Sequence, residues 1–514
     1  MKRIIVFLLA VVMAFSVFAC AKNEGNKPAT TSPNATTPDE TTPGTTTPGA
    51  TTEITTEMQV TVKNPDKPDL EVMTFGGTKY RVSTMEAYTN MEVFADEASA
   101  NICDQSIWER NAYVEETYDV KIVPVTTAYD GDVLSHVNSV LDYIYSGDDL
   151  YDTIMATAHS SGILIVSGAI QNWNKFKYND FSKYYWMSDI NEKFEIADTL
   201  YTAVGDMCIT VLARTYGLYY NRTKGDALFV DDGKTTITDE VIEKIENMEW
   251  TLDYFTELVS GVYSDIDYEA GPSAGDFYGY TSDALCSLDN WQFAFDIPML
   301  AKSEKKTLEC VFDTEKTSEM VDKLASLYRE NQGSYITDTA AVGTFVAGNA
   351  LFYNGTMLEC ILTFKNMEDN YLILPEPLWD ESQEKYMTGA QDTYSVISVP
   401  ITCKNTDMVS YITEVLNYES RSRVFPVYYE ETLQKQYARD PITIEMLDII
   451  MEGRNFDLGT MFNREMDCLP LTIRHCVGHY KESFKTIWDG RSFGVTEGVK
   501  YVVGKYKLNN KNPK

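Results

Sequence analysis

Short apolar runs and helical repeats of apolar residues follow one another through the first folded stretch of the chain. The runs at Thr78–Met85, Val120–Val125 and Asp152–Ala156 are bounded by polar segments, which is typical of buried strands. Apolar residues between them recur every three or four positions at Ile102–Thr117 and Val133–Ile144, which predicts helices. Strands that alternate with helices predict a parallel or mostly parallel sheet with helices on both faces.

The same kinds of pattern continue to the end of the chain. Thr251 is placed to cap a helix that starts at Leu252. Pro441 is placed at the start of a helix in the largely helical segment that follows Phe425. Further strands are predicted at Leu200–Asp206, Ala213–Asn221, Tyr371–Leu374 and Thr393–Val399, and further helices at Asp239–Met248, Leu252–Val259, Ser318–Arg329 and Met408–Leu416.

The first twenty residues predict export and lipid anchoring. Lys2 and Arg3 precede an unbroken apolar run, Ile4–Phe15, that is short for a membrane span, and Ala19 and Cys20 follow. This order is that of a bacterial lipoprotein signal, with residues 1–19 as the signal peptide and a diacylglyceryl (palmitate-type) group on Cys20. A secreted protein with a chance cysteine at this position is the alternative.

Residues 20–71 predict a disordered tether. The segment from about residue 23 is rich in Thr, Pro, Gly and Ser, so it cannot bury enough apolar surface to offset its ordering entropy. Such a tether suits the crossing of a Gram-positive cell wall. We therefore expect the folded part to lie on the extracellular face of the cytoplasmic membrane, held by its lipid.

Composition limits the classes of partner. Roughly 450 residues follow the tether, which suits two lobes better than one core. The formal net charge of −34 argues against nucleic acid and against anionic lipid surfaces as partners. The 34 tyrosines favour a protein that grips polar ligands, because Tyr combines an apolar ring with a polar tip.

The cysteines and histidines predict neither a metal site nor a cofactor. The cysteines after Cys20 are scattered through apolar runs, which favours buried thiols, although disulfides are possible outside the cell. The chain has no CxxC motif. His475 and His479 have a spacing that could hold a metal, but no third ligand is recognisable, so a helix face is the favoured interpretation.

Several sequence blocks, in the same order along the chain, resemble the extracellular solute-binding proteins of ABC importers, the group that includes maltose-binding protein. YDTIMATAHSSGILIVSGAI is similar to that family's strand, ligand loop and helix, and LYYNRTK to its first strand of the second lobe. EWTLDYF resembles its Trp-Thr helix cap. TFVAGNALFYNGTM and YLILPEP resemble its glycine block and its Leu-Pro-x-Pro crossover.

The resemblance implies an α/β, two-lobe periplasmic-binding-protein-like (type II) fold with the ligand cleft at the hinge. The chain would cross between the lobes near Asp206, Tyr371 and Phe425. These crossings assign residues 72–206 and 371–425 to lobe 1, and residues 207–370 and 426–514 to lobe 2.

The family's ligand contacts carry over to four places in this chain. The resemblance implies cleft-facing side chains in the loop after the third strand, at the hinge, in the second lobe and before the last strand. The corresponding residues are Thr157, His159, Ser160 and Ser161; Asp206; Asp289, Asn290 and Trp291; and Gln391 and Asp392. A loop-capping role for His159 and a core role for Trp291 are the alternatives. Met357 stands where sugar-binding relatives often carry Trp, which weakens any claim to a maltose-like ligand.

The resemblance implies a binding protein and no enzyme. Its expected partners are a carbohydrate, specifically an oligosaccharide, and the membrane subunits of an ABC permease. The protein is expected to act as a monomer. The acidic pairs of the chain do not lie at positions that suggest a glycosidase acid and base. A surface glycan-capture or sensor protein without transport, or an envelope glycoside hydrolase, would be the alternatives.

Overall fold

The structure is a computed structural model that describes residues 67–511 except 98, 231–232, 269, 338–339, 365–366, 430–440 and 480. All described residues belong to one compact unit, Pro65–Lys514. The predicted signal peptide, the lipidation site at Cys20 and the tether up to residue 66 lie outside the described residues.

The described strands form three sheets, of four, six and two strands. In chain order they are β1 (Thr78–Met85), β2 (Val120–Thr127), β3 (Thr153–Thr157), β4 (Tyr216–Asn221), β5 (Tyr263–Ser264), β6 (Phe277–Ser282), β7 (Leu300–Lys302), β8 (Leu308–Cys310), β9 (Ser334–Ile336), β10 (Ala350–Thr356), β11 (Tyr371–Leu374) and β12 (Ser395–Ser398). The smallest sheet is the antiparallel pair β7-β8.

Helices separate most of these strands along the chain. In chain order they are α1 (Glu86–Glu92), α2 (Ile102–Tyr118), α3 (Val133–Ser146), α4 (Ala158–Val166), α5 (Ser188–Phe194), α6 (Ile209–Arg214), α7 (Arg222–Gly225), α8 (Ile237–Glu246), α9 (Leu252–Ser260), α10 (Asn290–Ala294), α11 (Glu315–Arg329), α12 (Ala341–Val346), α13 (Met357–Leu362), α14 (Thr406–Glu419), α15 (Pro441–Glu452) and α16 (Phe484–Lys511).

The first sheet has the strand order β12-β3-β1-β2. β1 is parallel to β2 and β3, and β12 joins the β3 edge in the antiparallel direction. All five residues of β3 are buried, because the sheet is covered on both faces. The predicted mostly parallel sheet is confirmed.

The second sheet has the order β11-β4-β10-β6-β5, with β9 beside β6. β4 lies antiparallel between β10 and β11, and β6 is parallel to β10 and β9. The sequence analysis assigns residues from 371 onward to the first lobe, whereas β11 pairs with β4 in the second sheet. The pattern of a single apolar strand does not reveal its pairing partner, so the return to the first sheet comes later, at β12.

Two predicted strands differ in the structure. The segment predicted as one strand at Ala213–Asn221 is the end of helix α6 followed by β4. Leu200–Asp206 has bends and a turn, and its one bridge, between Ala203 and Ile397, is isolated, so the segment is not a sheet strand. Both segments are almost fully buried, and complete burial removes the polar positions that distinguish one period from another.

The last helix contacts both sides of the protein. Phe484 and Trp488 of α16 pack on Phe312, which follows β8. Near the other end, Tyr506 packs on Tyr201, and the Asn509 amide donates to the Ile165 carbonyl of α4 at 2.9 Å. One helix therefore completes the packing on both sides.

The described residues add two observations on anchoring and redox chemistry. Among them, no helix is both long and apolar enough to cross a bilayer. The cysteines whose side chains are described form no disulfide, and Cys208, Cys403 and Cys476 are buried thiols. The preference for thiols over disulfides is confirmed for this part of the chain.

Candidate functional site

Strand register brings two predicted site segments together. β12 runs antiparallel to β3 with Ser395 opposite Thr157, so the residues after β3 meet the residues before β12. The Ala158 N–H donates to the Tyr394 carbonyl at 2.8 Å, and the His159 N–H donates to the Asp392 carbonyl at 2.9 Å. The segment predicted as a loop after β3 is the start of α4, and it forms one edge with the segment before β12.

His159 and Asp392 form a hydrogen-bonded ion pair at this edge. His159 Nδ1 lies 2.9 Å from Asp392 Oδ2, with the two side chains 25% and 20% exposed. The hydrogen bond to Asp392 raises the pKa of His159 against the opposing effect of burial. Burial also raises the pKa of Asp392, but the bond and charge of His159 and the charges of Arg474 and Arg214 outweigh it and lower the pKa. The charged forms of both residues are favoured.

Gln391 holds an arginine that the sequence analysis did not identify. Arg214, the last residue of α6, donates from Nη1 to Gln391 Oε1 at 2.8 Å and from Nη2 to the Tyr88 hydroxyl at 3.3 Å. The Gln391 N–H donates to the Arg214 carbonyl at 2.9 Å. Arg214 is thereby fixed beside Asp392, whose pKa its charge lowers.

Asp289 forms the matching ion pair on the side of the second sheet. Arg474 Nε donates to Asp289 Oδ1 at 2.7 Å, and Arg474 Nη2 donates to Oδ2. The π-helical turn Arg474–His479 packs against α11 and so places the guanidinium. Burial raises the pKa of Asp289 to about 6, and the charge and hydrogen bonds of Arg474 limit the rise.

The two ion pairs, which we call the facing pairs, are close enough to influence each other. The Arg474 charge lowers the pKa of both Asp392 and His159, and the Asp392 charge raises the pKa of Asp289. Carboxylate, guanidinium and imidazole groups from both sheet regions therefore converge. Such a set offers acceptors and donors to a ligand rich in hydroxyl groups.

The hydroxyls of Thr157, Ser160 and Ser161 have local partners instead of an open cleft. Thr157 Oγ1 and Ser160 Oγ are 2.9 Å apart, and Ser161 Oγ donates to the Ala158 carbonyl at 2.9 Å. All three residues are fully buried. The sequence analysis placed them in the ligand site; their bonds assign them to the first turn of α4, where short polar side chains satisfy backbone groups.

Asn290 and Trp291 also differ from their predicted placement. The Trp291 ring is 0% exposed, lies 5.5 Å from the Phe295 ring, and its indole N–H donates to the Tyr328 hydroxyl at 3.0 Å. Asn290 donates to Glu376 Oε1 at 2.9 Å and accepts from the Gly389 N–H at 2.7 Å. Asp289 and Trp291 are two positions apart, so their side chains point about 200° apart around a helical turn. Asp289 therefore faces Arg474 while Trp291 enters the core.

Asp206 lies apart from the facing pairs. It is 3% exposed, and the charged groups that act on its pKa are Arg421 and Arg454. Asp206 lies shortly before α6 and β4, and the crossing between lobes near it stays a prediction.

A cavity of about 490 Å³ lies next to the site segment. Its lining combines apolar side chains such as Phe293, Leu300 and Phe456 with polar ones such as Lys193 and Asp296. The Phe456 ring is 5.1 Å from the ring of Tyr394, two residues after Asp392. Its volume is in the range of small-molecule sites.

Metal-ligand geometry is limited in the part of the chain that the structure describes. The carboxylates of Asp265, Asp267 and Asp276 lie within 4.8 Å of one another. Asp276 already accepts from the Ile266 N–H at 3.1 Å and from the Tyr278 hydroxyl at 3.2 Å. The His475 and His479 rings contact each other at 5.5 Å, and the described residues show no group of three ligands that includes them.

Comparison with known proteins shows the fold. No family model and no curated protein matches the chain. The galacto-N-biose-/lacto-N-biose I-binding protein of an ABC transporter from Bifidobacterium longum, solved with lacto-N-biose, is 11% identical with a TM-score of 0.52; the match covers 85% of this chain and 98% of that one. A cyclo/maltodextrin-binding protein solved with maltotetraose is 12% identical with a TM-score of 0.50, and that match covers 84% and 97% of the two chains. The chain thus has the two-lobe fold of these binding proteins, which confirms at the level of fold the resemblance seen in its motifs.

Proposed function

We propose that the protein is the substrate-binding component of an ABC transporter and captures a carbohydrate outside the membrane. Two proteins that share its fold were solved with a bound sugar, one with lacto-N-biose and one with maltotetraose. The ligand would be an oligosaccharide, delivered to the permease subunits. The protein acts by binding, without catalysis.

The observation that carries this proposal is the convergence of the facing pairs. His159–Asp392 and Asp289–Arg474 come from different sheet regions, so a ligand between them would contact both. Such a ligand stabilises the closed arrangement, because it makes its full set of contacts only there. Hydroxyl groups suit the site because each can donate to a carboxylate and accept from a guanidinium.

The proposal includes anchoring and a division into lobes. Signal cleavage before Cys20 and a lipid on its thiol would hold the protein at the extracellular face of the membrane. The first lobe comprises residues 72–206 and 395–425, and the second comprises residues 207–374 and 426–514, with the return moved from residue 371 because β11 pairs in the second sheet. The protein works as a monomer.

The test measures ligand binding by the full chain in detergent, with calorimetry and thermal unfolding as the two readouts. The probes are lacto-N-biose, maltotetraose and a panel of other neutral oligosaccharides, with peptides as the comparison class. Ligand at a hundred times its Kd should add about 2.7 kcal/mol to the free energy of unfolding. Chromatography of the sugar after incubation checks that it is not consumed.

Variants locate the binding. Asp392→Asn should weaken binding of the responding sugar about tenfold or more, whereas Asp253→Asn, a change at an exposed ion pair, should leave it unchanged. A response to peptides alone would contradict the carbohydrate proposal, and loss of the sugar during incubation would favour a hydrolase. Cells that lack the permease separate surface capture from transport. Transport predicts that these cells bind the sugar but do not take it up, whereas capture without transport predicts no difference from cells with the permease.

A further inference from the structure

Three charged residues lie near one another at the segments that connect the two sheets, since burial raises the pKa of Asp206 and the charges of Arg421 and Arg454 oppose this rise. Asp206 precedes α6, Arg421 lies in the π-helical turn Ser420–Val424 after α14, and Arg454 follows α15, which packs on β11. The Arg421 Nε and Asp206 Oδ2 atoms are 3.8 Å apart. We call these residues the guanidinium cluster.

Each member has a buried polar atom without a hydrogen-bond partner among the described residues. These atoms are Asp206 Oδ2, Arg421 Nε and Arg454 Nη1. Asp206 and Arg421 are 3% and 5% exposed. Buried donors and acceptors are nearly always paired in native proteins, so three open positions in one place indicate a missing group.

The rest of the arginine geometry is already occupied. Arg421 Nη2 donates to the Tyr184 hydroxyl at 2.8 Å, and the guanidinium lies over the rings of Tyr184 and Phe425 at 4.3 and 4.1 Å. Arg454 Nε donates to the Met451 carbonyl at 3.2 Å. These contacts fix both guanidinium groups and leave Arg421 Nε and Arg454 Nη1 without a hydrogen-bond partner among the described residues.

The charges do not balance. Among the described residues, the two guanidinium groups have one carboxylate partner, Asp206, and an uncompensated buried cation is costly unless an anion joins it. Guanidinium groups that are fixed in orientation match the paired oxygens of carboxylate, phosphate and sulfate groups.

We propose that Arg421 and Arg454, beside Asp206, form a binding site for a carboxylate or another small oxyanion. The anion would fill the open positions on the two arginines. It would also join three segments that run between the sheets, and so stiffen the connection on which closure depends. The group could come from a free ion or from an acidic sugar.

The test measures anion binding to the full chain in detergent by calorimetry at constant ionic strength in chloride. The probes are inorganic phosphate, acetate and glucuronate, with glucose as the neutral counterpart of glucuronate. Saturable binding of phosphate or acetate would support the site with a free ion as occupant. Binding of glucuronate alone, with glucose silent, would support it with an acidic sugar as occupant.

Variants with opposite expected signs separate a binding role from a structural one. Arg454→Gln should weaken anion binding at least tenfold, and Asp206→Asn should strengthen it severalfold, because it removes the competing negative charge. Arg423→Gln is the matched control, since Arg423 lies in the same turn but pairs with Glu419 at 2.7 Å. If the cluster had only a structural role, both changes would lower the stability of the protein, and Asp206→Asn would not strengthen anion binding.

The proposal is overturned if none of the three anions binds saturably, or if Arg454→Gln and Arg423→Gln bind the anion equally well. Neutral oligosaccharide binding is measured on the same preparation. Sugar binding without anion binding would reject the anion site and leave the transport proposal standing, and the reverse result would do the opposite.

Discussion

The facing pairs and the guanidinium cluster use the same chemical groups in opposite ways. Arg474 binds Asp289 through two nitrogens, with Nε and Oδ1 2.7 Å apart, while Arg421 Nε and Asp206 Oδ2 are 3.8 Å apart and both lack hydrogen-bond partners among the described residues. A saturated pair can orient donors and acceptors for a neutral ligand, whereas an unsaturated cluster has capacity for another charged group. The difference assigns them separate tasks.

Breaking the strongest pair should have the largest effect. Arg474→Met leaves Asp289 buried without its cation and near Asp392, and loss of one partner of a buried pair costs about 3 to 5 kcal/mol. Urea unfolding at pH 7 and pH 5 checks this. The loss should be smaller at pH 5, because burial raises the pKa of Asp289 to about 6 and its proton then replaces the lost cation.

The control for this change is Lys485→Met, which removes a cation from a pair whose side chains are 80% and 63% exposed. It should change stability by less than about 0.5 kcal/mol. Equal losses in the two variants would mean that the Arg474 pair contributes no more than a surface contact.

A buried carboxyl with no cation among its hydrogen-bond partners sharpens the comparison. Burial raises the pKa of Glu376 to about 8, while its Oε1 accepts from Asn290 and Asn354, each at 2.9 Å. Because the folded-state pKa is raised, the stability that this carboxyl contributes is complete below about pH 4.3 and is lost as the pH rises through about 8.

Glu376→Gln should therefore match the wild type near pH 5 and exceed it in stability at pH 9, by on the order of 4 kcal/mol. Chemical unfolding across this pH range checks the prediction. The exposed Glu381→Gln variant should follow the wild-type curve. A variant curve parallel to that of the wild type would show that Glu376 titrates normally.

Neutralising the other facing pair should have a smaller effect. Asp392→Asn keeps a hydrogen bond to His159 but removes the charge, at a cost of about 1 to 2 kcal/mol near pH 6. The raised pKa of His159 means that the stabilisation is complete below its unfolded pKa of about 6.5 and is lost as the pH rises through the folded pKa. An NMR titration of His159 should show a lower pKa in the variant.

The smallest effect is expected from a substitution that leaves Arg214 with unpaired nitrogens, as the arginines of the guanidinium cluster have. Gln391→Ala removes the acceptor of Arg214 Nη1, while Arg214 Nε already lacks a hydrogen-bond partner among the described residues. Stability should fall by about 1 kcal/mol or less, and the protein should gain weak phosphate binding. The exposed Gln332→Ala variant should show neither effect, and calorimetry with phosphate decides between the outcomes.

The sequence predicted most of the elements in which apolar positions alternate with exposed ones. It also predicted the site residues that lie at strand ends. β1, β2, α2 and α3 were predicted correctly, since each has exposed positions between its apolar ones. β3 is fully buried and was predicted because polar segments bound its short apolar run. His159 and Asp392 could be identified because one follows β3 and the other precedes β12. Their direct contact depends on the antiparallel register of these strands, which is not visible in either strand alone.

The remaining site residues depend on packing between distant segments. Arg474 lies 185 positions from Asp289, in a stretch where only His475 and His479 were considered, as possible metal ligands. Trp291 was expected beside a ligand because the resemblance implied an aromatic platform there, but its ring is buried in the core, which was the alternative interpretation. Apolar character alone does not distinguish a ligand platform from a core side chain.

The helix α16 follows all other described elements along the chain, so its packing contacts form only after those elements have been synthesised. Translation delivers Ile165 and Tyr201 more than three hundred residues before their partners, Asn509 and Tyr506. At about 5 to 20 residues per second, the ribosome leaves the first-sheet side of the protein open for many seconds. A nascent chain with a signal peptide would thus reach the export machinery before its last packing contacts exist.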